Sequence, residues 1–180
     1  SSAASDVYKR QEWRSAMNLL IVDDEYLVVE EVVTVTDWEL LGITEIYSAT
    51  NAVSAVRILN EKKIDIMICD IEMPQTDGLE LSKKAKENFP DLEIVMLTSH
   101  AEFNYVRNAL RYGCYDYLLK PVMEDDIIKV MKNLVTKIER ERHQAQLQEE
   151  GIVWNQLKPV WKEKYWEEML RGLRDDPNLS

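Results

Sequence analysis

Five short apolar runs, separated by stretches of helical period, constrain this chain more than any other feature. Leu19 to Val22, Ile43 to Ser48, Ile64 to Cys69, Leu92 to Leu97 and Tyr115 to Leu119 are each strand-sized and bounded by polar or turn residues. Between them, Glu25 to Thr36, Ala52 to Glu61, Leu79 to Asn88 and Glu102 to Arg111 carry apolar residues every three or four positions. Examples are Val53, Val56 and Leu59, and Val106, Ala109 and Leu110. The strand-sized runs are apolar on both faces, so the alternation predicts a parallel sheet covered on both sides by right-handed crossovers. The expected fold class is α/β, a doubly wound five-stranded parallel sheet.

The 180 residues hold one such core with a helical extension, but not two full domains. A further helix is expected from Glu124, where Glu124, Asp125 and Asp126 suit the positive end of a helix dipole. Its stripe of Ile127, Val130, Met131, Leu134 and Ile138 fades into the charged stretch Glu139 to Glu150. Beyond Gly151, Trp161, Tyr165, Trp166, Met169, Leu170 and Leu173 recur at helical spacing, an aromatic area too large for so short a segment to bury alone. Pro159, which has no amide hydrogen, is expected to break or kink a helix there. Residues 1–16 contain no apolar stretch of signal-peptide type and are expected to be a leader foreign to the natural gene, with Met17 its start. The expected organisation is therefore leader 1–16, α/β domain 17–138, and helical linker or start of an output region 139–180.

Composition removes several classes of function. A net charge of −11 and a pI near 4.7 leave no electrostatic footprint for a nucleic-acid backbone. The apolar runs are far too short for a membrane span. Cys69 and Cys114 sit inside apolar runs without the paired spacing of a metal or redox motif, so they read as reduced core residues and point to the cytoplasm.

Polar residues punctuate the same ends of these runs. Asp23 and Asp24 follow the first, Asp70 the third, Thr98 closes the fourth and Lys120 the fifth. In open α/β sheets the carboxyl ends of the strands, where strand order reverses, form the ligand site. With the order 2-1-3-4-5, the first and third strands lie about 4.8 Å apart, and Asp24 and Asp70 can share one cation. Lys120, two strands beyond the third at roughly 10 Å, reaches the same point on its long stem. Three carboxylates in one pocket need a cation, and an all-oxygen, carboxylate-rich donor set suits Mg²⁺. A carboxylate beside Mg²⁺ and a lysine ammonium is a nucleophile toward a phosphoryl group, giving an aspartyl phosphate. Taken singly, each residue has an ordinary explanation. Asp-Asp and Thr98 resemble helix caps, Lys120-Pro121 a solvated loop, Asp77-Gly78 a turn before a helix, and Tyr117 a half-buried strand aromatic. Their joint placement on one rim is what capping does not explain.

The motifs Leu20-Ile21-Val22-Asp23-Asp24-Glu25, Asp70-Ile71-Glu72-Met73-Pro74, Asp77-Gly78-Leu79, Leu97-Thr98-Ser99 and Tyr117-Leu118-Leu119-Lys120-Pro121 resemble the receiver domain of bacterial two-component response regulators. The resemblance spans about Met17 to Ile138 and implies the flavodoxin-like strand order. It implies that Asp70 is the phosphoacceptor for a sensor histidine kinase. It further implies that Asp24, Asp70 and the backbone carbonyl of Glu72 hold Mg²⁺, with Asp23 acting largely through water. Lys120 and Thr98 would contact the phosphoryl group, Tyr117 would swing inward as Thr98 moves, and a cis peptide would precede Pro121. The output face would be Glu102 to Arg111 with the fifth strand.

The stretch Thr36 to Gly42 and the long helical tail are similar to receivers that precede an AraC-type DNA-binding domain. DNA would then be reached only through a further C-terminal domain, and the tail offers a surface for a homodimer. Two rival readings stand beside this one. An aspartate-nucleophile phosphatase of the haloacid-dehalogenase kind would have a second Asp two residues after the nucleophile, where this chain has Glu72. A receiver-like dimerisation module that is no longer phosphorylated is the other.

Overall fold

The computed structural model describes residues 16–74, 77–99 and 111–174, with side chains described as far as residue 152. Strands β1 (Met17–Val22), β2 (Ile43–Ala49), β3 (Ile66–Asp70), β4 (Glu93–Thr98) and β5 (Asp116–Leu119) form one parallel sheet in the order β2-β1-β3-β4-β5. Helices α1 (Tyr26–Thr34), α2 (Ala52–Glu61), α3 (Gly78–Asn88) and α4 (Glu124–Arg174) alternate with the strands as the periodicity predicts. The expected helix at Glu102 to Arg111, and with it much of the expected output face, lies outside the described residues except for Arg111, which is helical.

Burial follows from the connectivity. The chain moves outward from β1 to β2 and then back across β1 to β3, so right-handed crossovers put α1 on one face and α2 and α3 on the other. On the α2/α3 side, Leu20, Val22, Met67, Cys69, Ile94 and Met96 pack with Ala55, Leu59, Leu81 and Ala85. The alternate residues Leu19, Ile21, Ile66, Ile68, Val95 and Leu97 point to the opposite face and are buried too, as are Val29 and Val32 of α1 and Ile127, Met131 and Leu134 of α4. The central strands β1, β3 and β4 are therefore apolar on both sides, whereas the edge strand β2 is exposed along its middle.

The stripe assigned to α2 is corrected by the structure. Leu59 is buried as expected, but Val53 is 82% exposed and Val56 44% exposed, and Ala55 is buried in their place. Both sets share the helical period, and small Ala55 permits the close approach to the sheet that a valine would obstruct. The helix is not broken at Pro159: it continues through that position to Arg174. Proline removes a single hydrogen bond, and the bonds of the turns before and after it remain available.

Thr36 to Gly42 forms a short plug. Glu39–Leu41 is one 3-10 turn, closed by Gly42 in the left-handed region at φ 87. Buried Trp38 donates its indole N–H to the carbonyls of Val32 and Val33 at 3.3 and 3.0 Å, satisfying the end of α1. Glu93, at the start of the interior strand β4, pairs with Lys86 of α3 and Lys137 of α4 at 3.3 and 2.8 Å. Cys69 and Cys114 are buried and free, and burial raises both thiols, Cys114 to about 11. The chain divides into two units, one reaching Lys137 and the other starting at Ile138. The second is the continuation of α4, with Leu147 and Ile152 exposed on it.

Candidate functional site

The site is assembled at the strand-order reversal, between the carboxyl ends of β1 and β3. Val22, the last residue of β1, is paired in register with Cys69, so Asp23 and Asp70 are neighbours across the two strands. Asp23, Asp24 and Asp70 each bring a carboxylate oxygen within 4.8 Å of the others. They are not equivalent. Asp23 is fully buried and Asp70 is 2% exposed, whereas Asp24 faces solvent.

Lys120, immediately after β5, supplies the counter-charge. Its ammonium lies 2.7 Å from Asp23 Oδ2 and 3.1 Å from Asp70 Oδ1, and only 13% of its side chain is exposed. The Lys120 amide donates to the Thr98 carbonyl at 2.9 Å, fixing the stem of the lysine to the end of β4, and Lys120-Pro121 is the expected cis peptide. Asp23 also accepts from the Glu25 amide at 2.9 Å through its other oxygen, Oδ1. That bond goes to the N-cap residue of α1, Glu25, and not to an amide of the helix's first turn, so Asp23 orders the turn before α1 without capping it, which corrects the capping reading. Thr98, nearly fully buried, closes β4 between Asp70 and Lys120. Tyr117, in β5, is half-buried against the α2/α3 core. Glu72 is exposed in the loop after β3, and its backbone amide hydrogen-bonds the Asp70 carboxylate.

The electrostatics leave a gap of a definite size. Three carboxylates face one ammonium, a local charge of −2, and the ammonium comes close to Asp23 Oδ2 and Asp70 Oδ1 without an aligned hydrogen bond to either oxygen. Burial dominates at Asp70 and pushes its carboxyl above the usual range, against the lowering effect of Lys120 and with a further upward push from Asp23. At Lys120, burial pulls downward, but Asp23 and Asp70 outweigh it and raise the ammonium. A divalent cation matches both the missing charge and the all-oxygen donor set, which is the fit expected for Mg²⁺.

Gly78 is a residue of the site that sequence reasoning missed. Asp77 caps α3 by accepting from the Leu79 amide at 2.8 Å, which agrees with the turn reading. Gly78 packs directly against the backbone of Asp70 and donates its amide to the Ile71 carbonyl at 3.0 Å. The signal in the sequence was a glycine at the first position of a helix, where its poor helix propensity has no local use.

Residues 19–132 match the family model of the response regulator receiver domain. The chain belongs to this family. It is 34% identical over 123 residues to the transcriptional regulatory protein YesN of Bacillus subtilis, covering 68% of this chain and 33% of YesN. Among solved structures, the receiver domain of AraT from Geobacillus stearothermophilus is similar at 29% identity and a TM-score of 0.62, over 73% of this chain and 99% of that one. NtrX from Brucella abortus is similar at 28% identity and a TM-score of 0.67, over 74% of this chain but 30% of NtrX. This chain thus spans about a third of the length of YesN. Receiver domains are phosphorylation-based signalling domains that bind Mg²⁺ at an acidic pocket, and this chain has an acidic cluster of Asp23, Asp24 and Asp70. Among the described residues, no helix is long and apolar enough to cross a membrane.

Proposed function

We propose that this chain is the phosphoryl-accepting part of a two-component transcription regulator, in which Asp70 takes a phosphoryl group from a sensor histidine kinase. The observation that carries the reading is the buried Asp70 carboxylate, held beside Lys120 within a cluster that still lacks two positive charges. An Asp70 oxygen forms the new O–P bond as the N–P bond of the kinase phosphohistidine breaks. The leaving imidazole nitrogen keeps the electron pair and takes a proton from solvent. Lys120 holds one oxygen of the transferring group by charge, and the Thr98 hydroxyl offers it a hydrogen bond. Asp24, Asp70 and the main chain of Glu72 would hold Mg²⁺, with Asp23 acting through water, and the ion would supply neutralisation of charge on the phosphoryl oxygens.

Output follows from the new acceptors at Asp70. Thr98 turns toward them, Tyr117 fills the space it leaves, and the surface around β5 changes. The receiver is assigned to residues 17–138 and the linker to 139–180, where α4 outlasts the family match. We assign DNA binding to an AraC-type domain following the linker, a homodimer contact to the tail, and the cytoplasm as the compartment. This chain contacts neither nucleic acid nor membrane. Incubation with acetyl phosphate and Mg²⁺ is expected to add the mass of one phosphoryl group, and Asp70→Asn to abolish the gain. An unchanged gain in that variant would move the nucleophile elsewhere, and repeated release of phosphate from small phosphomonoesters would make the chain an enzyme.

A further inference from the structure

We infer that Gly78 is a positioning residue for the phosphoacceptor. The missing side chain lets the first turn of α3 close onto the main chain of Asp70, and that contact fixes where the Asp70 carboxylate stands relative to Asp23 and Asp24. The inference rests on the reading of Asp70 as the nucleophile.

A Cβ on Gly78 would lie 1.8 Å from the Asp70 carbonyl oxygen, 2.8 Å from its carbon and 3.0 Å from the Ile71 Cα. All three atoms are backbone, so no side chain can rotate out of the way. Glycine is demanded here by space and not by conformation, because Gly78 has ordinary helical geometry as the first residue of α3. Helix stability does not account for it either, since glycine is a poor helix former.

The segment that would have to yield is pinned on several sides. The Ile71 amide donates to the Leu97 carbonyl at 3.0 Å, the Gly78 amide to the Ile71 carbonyl at 3.0 Å, and the Cys69 thiol to the Asp70 carbonyl at 3.4 Å. Asp70 also ends β3, so its carbonyl and its carboxylate leave the same Cα and cannot move independently. Ordinary contact begins near 3.4 Å, so a methyl group at the 1.8 Å position forces a displacement of about 1.6 Å on α3, on Asp70, or on both. A misplacement of roughly 1 Å at a reacting group costs about 10²-fold in rate. The same displacement spreads the carboxylates that bind the cation. Gly78 therefore acts on the chemistry through Asp70 without touching the phosphoryl group.

The test uses the full chain and its Gly78→Ala variant, with Leu81→Ala as a control that loosens α3 from the core without adding an atom near Asp70. Mn²⁺ affinity is read by electron paramagnetic resonance, and the acetyl phosphate rate by mass spectrometry, both well below the unfolding temperature. Gly78→Ala is expected to bind Mn²⁺ at least about tenfold more weakly and to be phosphorylated about 10²-fold more slowly. Leu81→Ala is expected to unfold at lower temperature with Mn²⁺ affinity within about twofold of the parent. A folded Gly78→Ala chain that matches the parent in both measurements would overturn the inference. So would a Leu81→Ala chain that loses Mn²⁺ affinity equally. If the parent chain itself takes no phosphoryl group, the phosphoacceptor reading fails, while the Mn²⁺ comparison still decides the positioning. If Gly78→Ala does not fold, hydrogen exchange at the Gly78 amide of the parent decides. Mg²⁺ with beryllofluoride is expected to slow it about tenfold or more, and unchanged exchange would refute the contact.

Discussion

Replacing Lys120 by alanine isolates the electrostatic condition of the pocket. The ammonium stands 2.7 and 3.1 Å from two carboxylates that are 0% and 2% exposed, and no aligned hydrogen bond supports the oxygens it faces. Breaking a buried ion pair by removing one partner costs about 3 to 5 kcal/mol, because the remaining charge stays buried without compensation. The lower end, about 3 kcal/mol, is expected here, since Asp70 can shed its charge by taking a proton. For a chain of this size, that corresponds to a loss of roughly 6 to 12 °C in unfolding temperature.

The proton gives the prediction a sign with pH. Burial already raises Asp70, and losing Lys120 removes an influence that lowers it, so the folded carboxyl in the variant rises further above its unfolded value. A carboxyl raised in the folded state destabilises the fold at high pH, and that penalty disappears as pH falls through the raised value. The deficit of Lys120→Ala in EDTA is therefore larger at about pH 8 than at about pH 5. Saturating Mg²⁺ should raise the variant's own stability above its value in EDTA by about 2.7 kcal/mol at a concentration 100 times its dissociation constant. Urea unfolding with EDTA and with Mg²⁺, at both pH values, reads all three effects. A Lys120→Ala chain as stable as the parent in EDTA at about pH 8 would refute the reasoning.

Three other predictions concern the frame. Asp77→Ala removes the hydrogen bond to the Leu79 amide and should cost about 1 kcal/mol in urea unfolding, within the range for lost N-caps. Trp38→Phe keeps an aromatic ring but gives up the larger indole and the donor shared by the Val32 and Val33 carbonyls; the lost hydrogen bonds alone should cost roughly 0.5 to 1.5 kcal/mol and the lost packing adds to that, and a neutral result would refute the role given to the indole. Cys114, raised to about 11 by burial, and Cys69, raised more, should not react with a thiol reagent at about pH 8 until the chain is unfolded, which a colorimetric titration in and out of urea checks.

The sheet was legible because its central strands are apolar on both faces, as a covered parallel sheet demands, although the same reading did not hold for the edge strands β2 and β5, which are partly exposed. Asp70, Thr98 and Lys120 were legible for the related reason that a polar residue closing such a run must stand on the rim. The unequal roles of Asp23 and Asp24 were not legible. Two adjacent acids at a strand end alternate in direction, and only the pairing of β1 with β3 decides that Asp23 is the buried partner of Lys120. Val53 and Val56 show a similar limit, since a helical period reveals that a face exists but not how closely it must approach the sheet. Gly78 was read as half of a turn because its contact is with a residue eight positions earlier in the sequence, across a loop whose path no local pattern specifies.

The central claim is most directly tested by locating the phosphoryl group itself. After treatment with acetyl phosphate and Mg²⁺, borohydride reduction converts an aspartyl phosphate into homoserine, and tandem mass spectrometry of the digested chain reads its position. Homoserine at position 70 and at no other acidic residue is the expected result. Homoserine at position 23 or 24, or none in a chain that has gained the phosphoryl mass, would contradict the assignment of Asp70 as the acceptor.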